Sequence, residues 1–123
     1  MKYKTFMTFY TATTTFFGVG FVLIPGFILS IFGLAYDTSI CYIGNLFGAA
    51  LLSLALLAWL TRNATKSSER DAILLACFTG EAIGLVLALV GQFNGSVNTL
   101  GWLVVAVYLT FTAGLGYFRF VKG

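Results

Sequence analysis

Glu81 is a carboxylate near the middle of an otherwise apolar stretch, DAILLACFTGEAIGLVLALVGQ, which runs from Asp71 to Gln92. An acid in such a setting has two uses. It can carry a proton or cation through a transport cycle, as intramembrane acids often do. It can also donate a hydrogen bond that holds neighbouring helices together. Depth counted from the ends of the apolar runs places Thr14, Thr15, Ser53, Tyr108 and Thr110 at about the same level as Glu81. No Lys or Arg falls inside those runs, so the sequence offers Glu81 hydroxyl neighbours rather than a cation. Protonating a glutamate at pH 7 costs about 3.7 kcal/mol, whereas a bare carboxylate in low dielectric costs more. A neutral, hydrogen-bonding Glu81 is therefore expected. With no second acid for a relay, structural glue outranks transport.

Other chemistries have less to stand on. There is no histidine, so the commonest transition-metal and haem ligand is missing. Cys41 and Cys77 stand alone in separate apolar runs without a CxxC pair, and read as small buried hydrophobes. No nucleophile–base pair or metal cluster is visible, so the sequence predicts neither an enzyme nor a bound metal or cofactor. A pigment magnesium on Glu81, Asn45 or Gln92 is disfavoured by ligand chemistry.

The elements that must carry these residues follow from composition. Of 123 residues, 59% are hydrophobic and 9% charged, too little polar surface to face water on all sides. Charge-free runs extend over 5–36, 38–61 and 82–118, and a bilayer-spanning helix needs roughly 20 apolar residues. The runs are continuous rather than alternating, which argues against an outer-membrane barrel. The prediction is an all-α integral membrane protein of one domain, with spans at about 5–32, 39–60, 72–93 and 100–118. Short connections make consecutive spans antiparallel, giving an up-down-up-down four-helix bundle. The first apolar run is longer than a signal-peptide core and is read as a span.

Threaded in this way, all seven cations (Lys2, Lys4, Arg62, Lys66, Arg70, Arg119, Lys122) fall on one side. Excess Lys and Arg marks the cytoplasmic face, so both termini are expected there, in the cell's inner membrane. The cluster in the middle link is read as this topology signal rather than as a nucleic-acid or headgroup patch. Ser68 to Asp71 has the S-x-x-D form of a capping box ahead of the third span. The first span is overlong, and Pro25-Gly26 predicts a kink after which FILSIFGL tilts or lies along the outer surface.

Small residues recur every four positions on the third span at Ala72, Ala76, Gly80, Gly84 and Ala88. Such a stripe lets a neighbouring backbone approach closely, and Gly44 and Gly48 of the second span are its expected partner. Aromatics make up 17% of the chain. They suit packing and lipid contact, with Tyr3, Trp59, Trp102 and Tyr117 as interface anchors.

The stretches IPGFILSIFGL, IGNLFGAALLSLALLAWL and GWLVVAVYLTFTAGLGYF together resemble an uncharacterised family of small four-span bacterial membrane proteins, loosely DoxX-like. Such relatives often have an arginine near the start of the second span, where this chain has Asn45. The resemblance implies a fold and supplies no activity. The expected function is that of a non-enzymatic accessory or scaffold subunit. Its partners would be the bilayer, another membrane protein, a second copy of itself or a lipophilic ligand, with nucleic acid excluded. The alternative is a small proton- or cation-coupled transporter or channel using Glu81.

Overall fold

The structure is a computed structural model that describes residues 2–121. Lys122, counted above among the cations, lies outside the described residues. Five α-helices follow in order: α1 Tyr3–Leu23, α2 Pro25–Ile31, α3 Thr38–Leu60, α4 Ser68–Phe93 and α5 Gly101–Gly116. A π-helical turn, Tyr117–Val121, extends α5. No strand occurs among the described residues. Four segments are long and apolar enough to cross a membrane: α1, α3, α4, and α5 with its π-helical turn. The fold class read from the sequence, all-α with four membrane-length helices, is the one the chain has. It is a multi-pass membrane protein.

The chain divides into two compact units, Met1–Asn63 and Ala64–Gly123. The first unit is built on α1 and α3. A Cβ added at Gly48 would lie 2.7 Å from the Gly18 carbonyl oxygen and 2.8 Å from the Val22 nitrogen, so the two backbones touch there. Gly44 lies against the side chains of Pro25 and Phe21, at 3.2 and 3.5 Å from an added Cβ. These pairs run in opposite directions along the chain, so α1 and α3 are antiparallel. Gly44 and Gly48 are thus buried against α1, where the sequence pattern pairs them with the third span. The reason is mutual: Gly18 on α1 is also small and buried, so close approach costs neither helix a side chain.

The first span is two helices rather than one kinked helix over 5–32. Backbone geometry leaves the helix at Ile24 (φ −138°, ψ 58°), and Pro25 opens α2 as its first residue, a position that needs no N–H donor. The 21 residues of α1 rise ~31 Å, which matches a hydrocarbon core of about 30 Å. Then α2 packs back, with Ile28 lying over Gly20 and the Tyr36 ring over Gly26. Gly33, at φ 75°, ends α2 while the Leu34 N–H donates to the Leu29 carbonyl, a left-handed cap that favours glycine. Asp37 then starts α3 by accepting the Ile40 N–H at 2.9 Å.

The second unit is the antiparallel pair of α4 and α5. Helix α4 starts four residues before the expected span, because its charged first turn is already helical. Its N-cap is Ser67, whose hydroxyl accepts the Arg70 N–H at 3.1 Å. The S-x-x-D register is therefore one residue late: Ser68 is the first helical residue, and Glu69 and Asp71 lie in the first turn, where the helix dipole favours them. At the other end Gln92 donates from Nε2 to the Asn98 carbonyl, tying the α4–α5 connection. The described cations lie at one end of each pair: Lys2, Lys4 and Arg62 in the first unit, and Lys66, Arg70 and Arg119 in the second.

Candidate functional site

Glu81 is half-buried and lies on the row Leu74, Cys77, Glu81, Gly84, Ala88 of α4. Steps of three and four residues keep that row on one side of a helix. Its first two members, Leu74 and Cys77, are buried. The row faces α5 at least at Gly84, where the Tyr108 ring lies so close that an added Cβ would sit 2.7 Å from Cδ1 and 2.8 Å from Cζ. Tyr108 is half-buried and, through its contact with Gly84, lies within about one helical turn of the level of Glu81. The structure thus brings together Glu81 and Tyr108 from the predicted set, with Gly84 beneath the ring.

The rest of the set is distributed differently. Thr14 is buried on α1. Thr15 on the same helix and Ser53 on α3 are both exposed. Thr110 is exposed too, and its hydroxyl donates to the Ala106 carbonyl of its own helix at 2.8 Å. That local bond leaves its proton in use within the helix.

Thr112 is the residue that sequence reasoning missed. Its hydroxyl oxygen is buried and has no hydrogen-bond partner among the described residues. Phe78 meets Gly116, Gly84 meets Tyr108 and Gln92 meets Gly101 across the α4–α5 pair. That register sets Thr112 level with Glu81. A signal for it exists in the sequence: Thr112 is one helical turn beyond Tyr108 and shares its face, whereas Thr110 is turned about 200° away.

The packing residues also separate. Gly84 and Ala88 are half-buried, but Ala72, Ala76 and Gly80 are exposed, and a Cβ at Gly80 would meet nothing within 4 Å. Each step of four residues advances about 400° around a helix, so an every-fourth row drifts by about 40° per step. The stripe starts on the outside of α4 and reaches the α5 side only at Gly84.

No group of three or more His, Cys, Asp or Glu that could hold a metal occurs among the described residues. The interface anchors take places near the helix ends. Trp59 is exposed, with the Arg62 guanidinium stacked 3.5 Å above its ring, and Trp102 makes an edge-to-face pair with Phe93. Large apolar side chains turn outward along the helices, including Phe16 at 70% and Phe93 at 77% exposed, as a lipid-facing surface requires.

Comparison with protein-family models, with curated proteins and with solved structures gave no match. What fold and site define is a class, a multi-pass helical membrane protein with a half-buried acid in one helix pair.

Proposed function

We propose that this protein is a non-enzymatic accessory or scaffold subunit of the cell's inner membrane, with both termini cytoplasmic, which works by associating with other membrane components. The observation that carries this reading is the open face of α4 at Ala72, Ala76 and Gly80. Within lipid, small residues bring a second helix close enough for dispersion contacts, the main driving force left once water is absent. The resemblance to small DoxX-like proteins supports the same fold and adds no chemistry. Purification in gentle detergent, followed by mass spectrometry of co-purifying proteins and lipophilic molecules, tests the reading. A specific partner, or a stable second copy, is the expected result. A lone monomer with nothing bound would overturn it.

A second reading, a small proton- or cation-coupled transporter or channel, has its own observation. The α4–α5 register sets Glu81, Tyr108 and Thr112 within about one turn of one another at mid-depth of the pair, and intramembrane acids commonly mark ion pathways. Flux measured in reconstituted vesicles distinguishes it from the first.

A further inference from the structure

We infer that the cationic end of the first unit binds the headgroup of one anionic phospholipid through Arg62 and Lys4. The contacts of Gly18 with Gly48 and Leu52, and of Phe21 with Asn45, fix the register of α1 against α3. Carried to the end of the pair, that register sets Lys4 level with Arg62. Charge at this end is uncompensated within the unit. Lys2, Lys4 and Arg62 gather there, while the one acid of residues 1–63, Asp37, caps the opposite end of α3. The corresponding end of the second unit differs, since Glu69 and Asp71 there offset two of the three cations Lys66, Arg70 and Arg119.

Arg62 is held ready for an anion. Its guanidinium stacks on Trp59 and gives one N–H to the Trp59 carbonyl, leaving most of its donors available. A planar fork already fixed in place loses less freedom when it takes a phosphate than a flexible ammonium does. The depth is right as well, because α1 begins at Tyr3 and α3 ends at Leu60, so both cations lie at the ends of apolar spans. Exposed Phe9, Leu56 and Leu60 continue toward the membrane interior and offer apolar surface to acyl chains, for which free phosphate has no use.

Native mass spectrometry of the detergent-purified full chain, titrated with phosphatidylglycerol or phosphatidylcholine, tests the assignment. One phosphatidylglycerol should be retained in preference to phosphatidylcholine. Each of Arg62→Gln and Lys4→Gln should weaken that retention by roughly five-fold, the effect of removing one interfacial charge. Lys66→Gln, in the link, should leave it unchanged. Arg62→Lys keeps the charge without the fork and should fall between wild type and Arg62→Gln. If Arg62→Gln does not fold, Lys4→Gln reads the same site from the other helix. Equal retention of the two lipids, or equal losses in Lys66→Gln and Arg62→Gln, overturns the proposal. So does displacement of the lipid by millimolar inorganic phosphate, which would mark a site for the free anion.

Discussion

Asn45 stands in for the hydrogen-bond donor that Pro25 lacks. In an unbroken helix the Phe21 carbonyl would accept from residue 25, and proline has no N–H to give. Asn45 reaches across from α3 and donates from Nδ2 to the carbonyls of Phe21 and Val22, at 2.9 and 3.0 Å. Within a bilayer no water can take over such a duty, so a break in a spanning helix must be satisfied from within the protein. The structure gives the asparagine a task of its own.

Replacing Asn45 with Leu should therefore destabilise the protein by about 1–3 kcal/mol, the usual consequence of leaving an acceptor unpaired where no water can reach it. The loss should shrink in a Pro25→Ala background, because the new N–H can bond the Phe21 carbonyl. A double-mutant cycle of denaturant unfolding in detergent measures the coupling. Equal losses in the wild-type and Pro25→Ala backgrounds would show that Asn45 does not serve the break.

Gly48 is the tightest point of the α1–α3 pair. Gly48→Ala should cost about 1–3 kcal/mol by overpacking, since the neighbours of the new methyl include backbone atoms of Gly18 and Val22, which move only with the whole helix. Thermal unfolding reports the loss. An unchanged midpoint would mean that the helices separate freely at this level.

Gly84 and Gly80 lie one turn apart and should behave in opposite ways. Gly84→Leu drives a side chain into the Tyr108 ring and should lower the thermal midpoint of the isolated protein. Gly80→Leu enters open space, so the monomer should melt as wild type does while co-purification of a partner is lost. A Gly80→Leu protein that still captures its partner would remove the open α4 face from the association reading.

Much of this architecture is legible in the sequence, for identifiable reasons. Charge-free run length is a one-dimensional quantity, so the four spans can be read directly. The break near Pro25 is visible because proline acts locally. What escapes depends on rotation about a helix axis or on the identity of the neighbour. The every-fourth stripe on α4 reads as one face although it winds, and depth alone favours Thr110 over Thr112. Gly44 and Gly48 are recognisable as a packing face, but nothing local states that α1 is what they meet. Ser67 and Ser68 have the same capping chemistry, and only backbone geometry chooses between them.

Orientation is tested by reporter fusions. The proposed topology expects a cytoplasmic reporter to be active when fused after Lys122, and an alkaline-phosphatase reporter to be active within the Asn94–Asn98 connection. Alkaline-phosphatase activity at the C-terminal fusion would reverse the threading.

Glu81 is where the two functional readings part. As a neutral donor bonding another helix it should tolerate Gln, whose amide also donates and never titrates. The Glu81→Gln protein should then fold and keep its partners. If instead Glu81 carries a proton or cation, the same substitution should preserve the fold but abolish pH-dependent flux in vesicles, because the titratable group is gone. Thr112→Val adds a second discriminator. Its hydroxyl has no hydrogen-bond partner among the described residues, so removing it should leave stability unchanged or slightly raised. In a transport site that hydroxyl would be a ligand, and Val would reduce flux without changing the melt. Wild-type vesicles with no flux of protons, common cations or anions, together with a fully functional Glu81→Gln partner complex, are the outcomes expected of a scaffold. Flux lost in both variants at unchanged stability would assign the protein to transport instead.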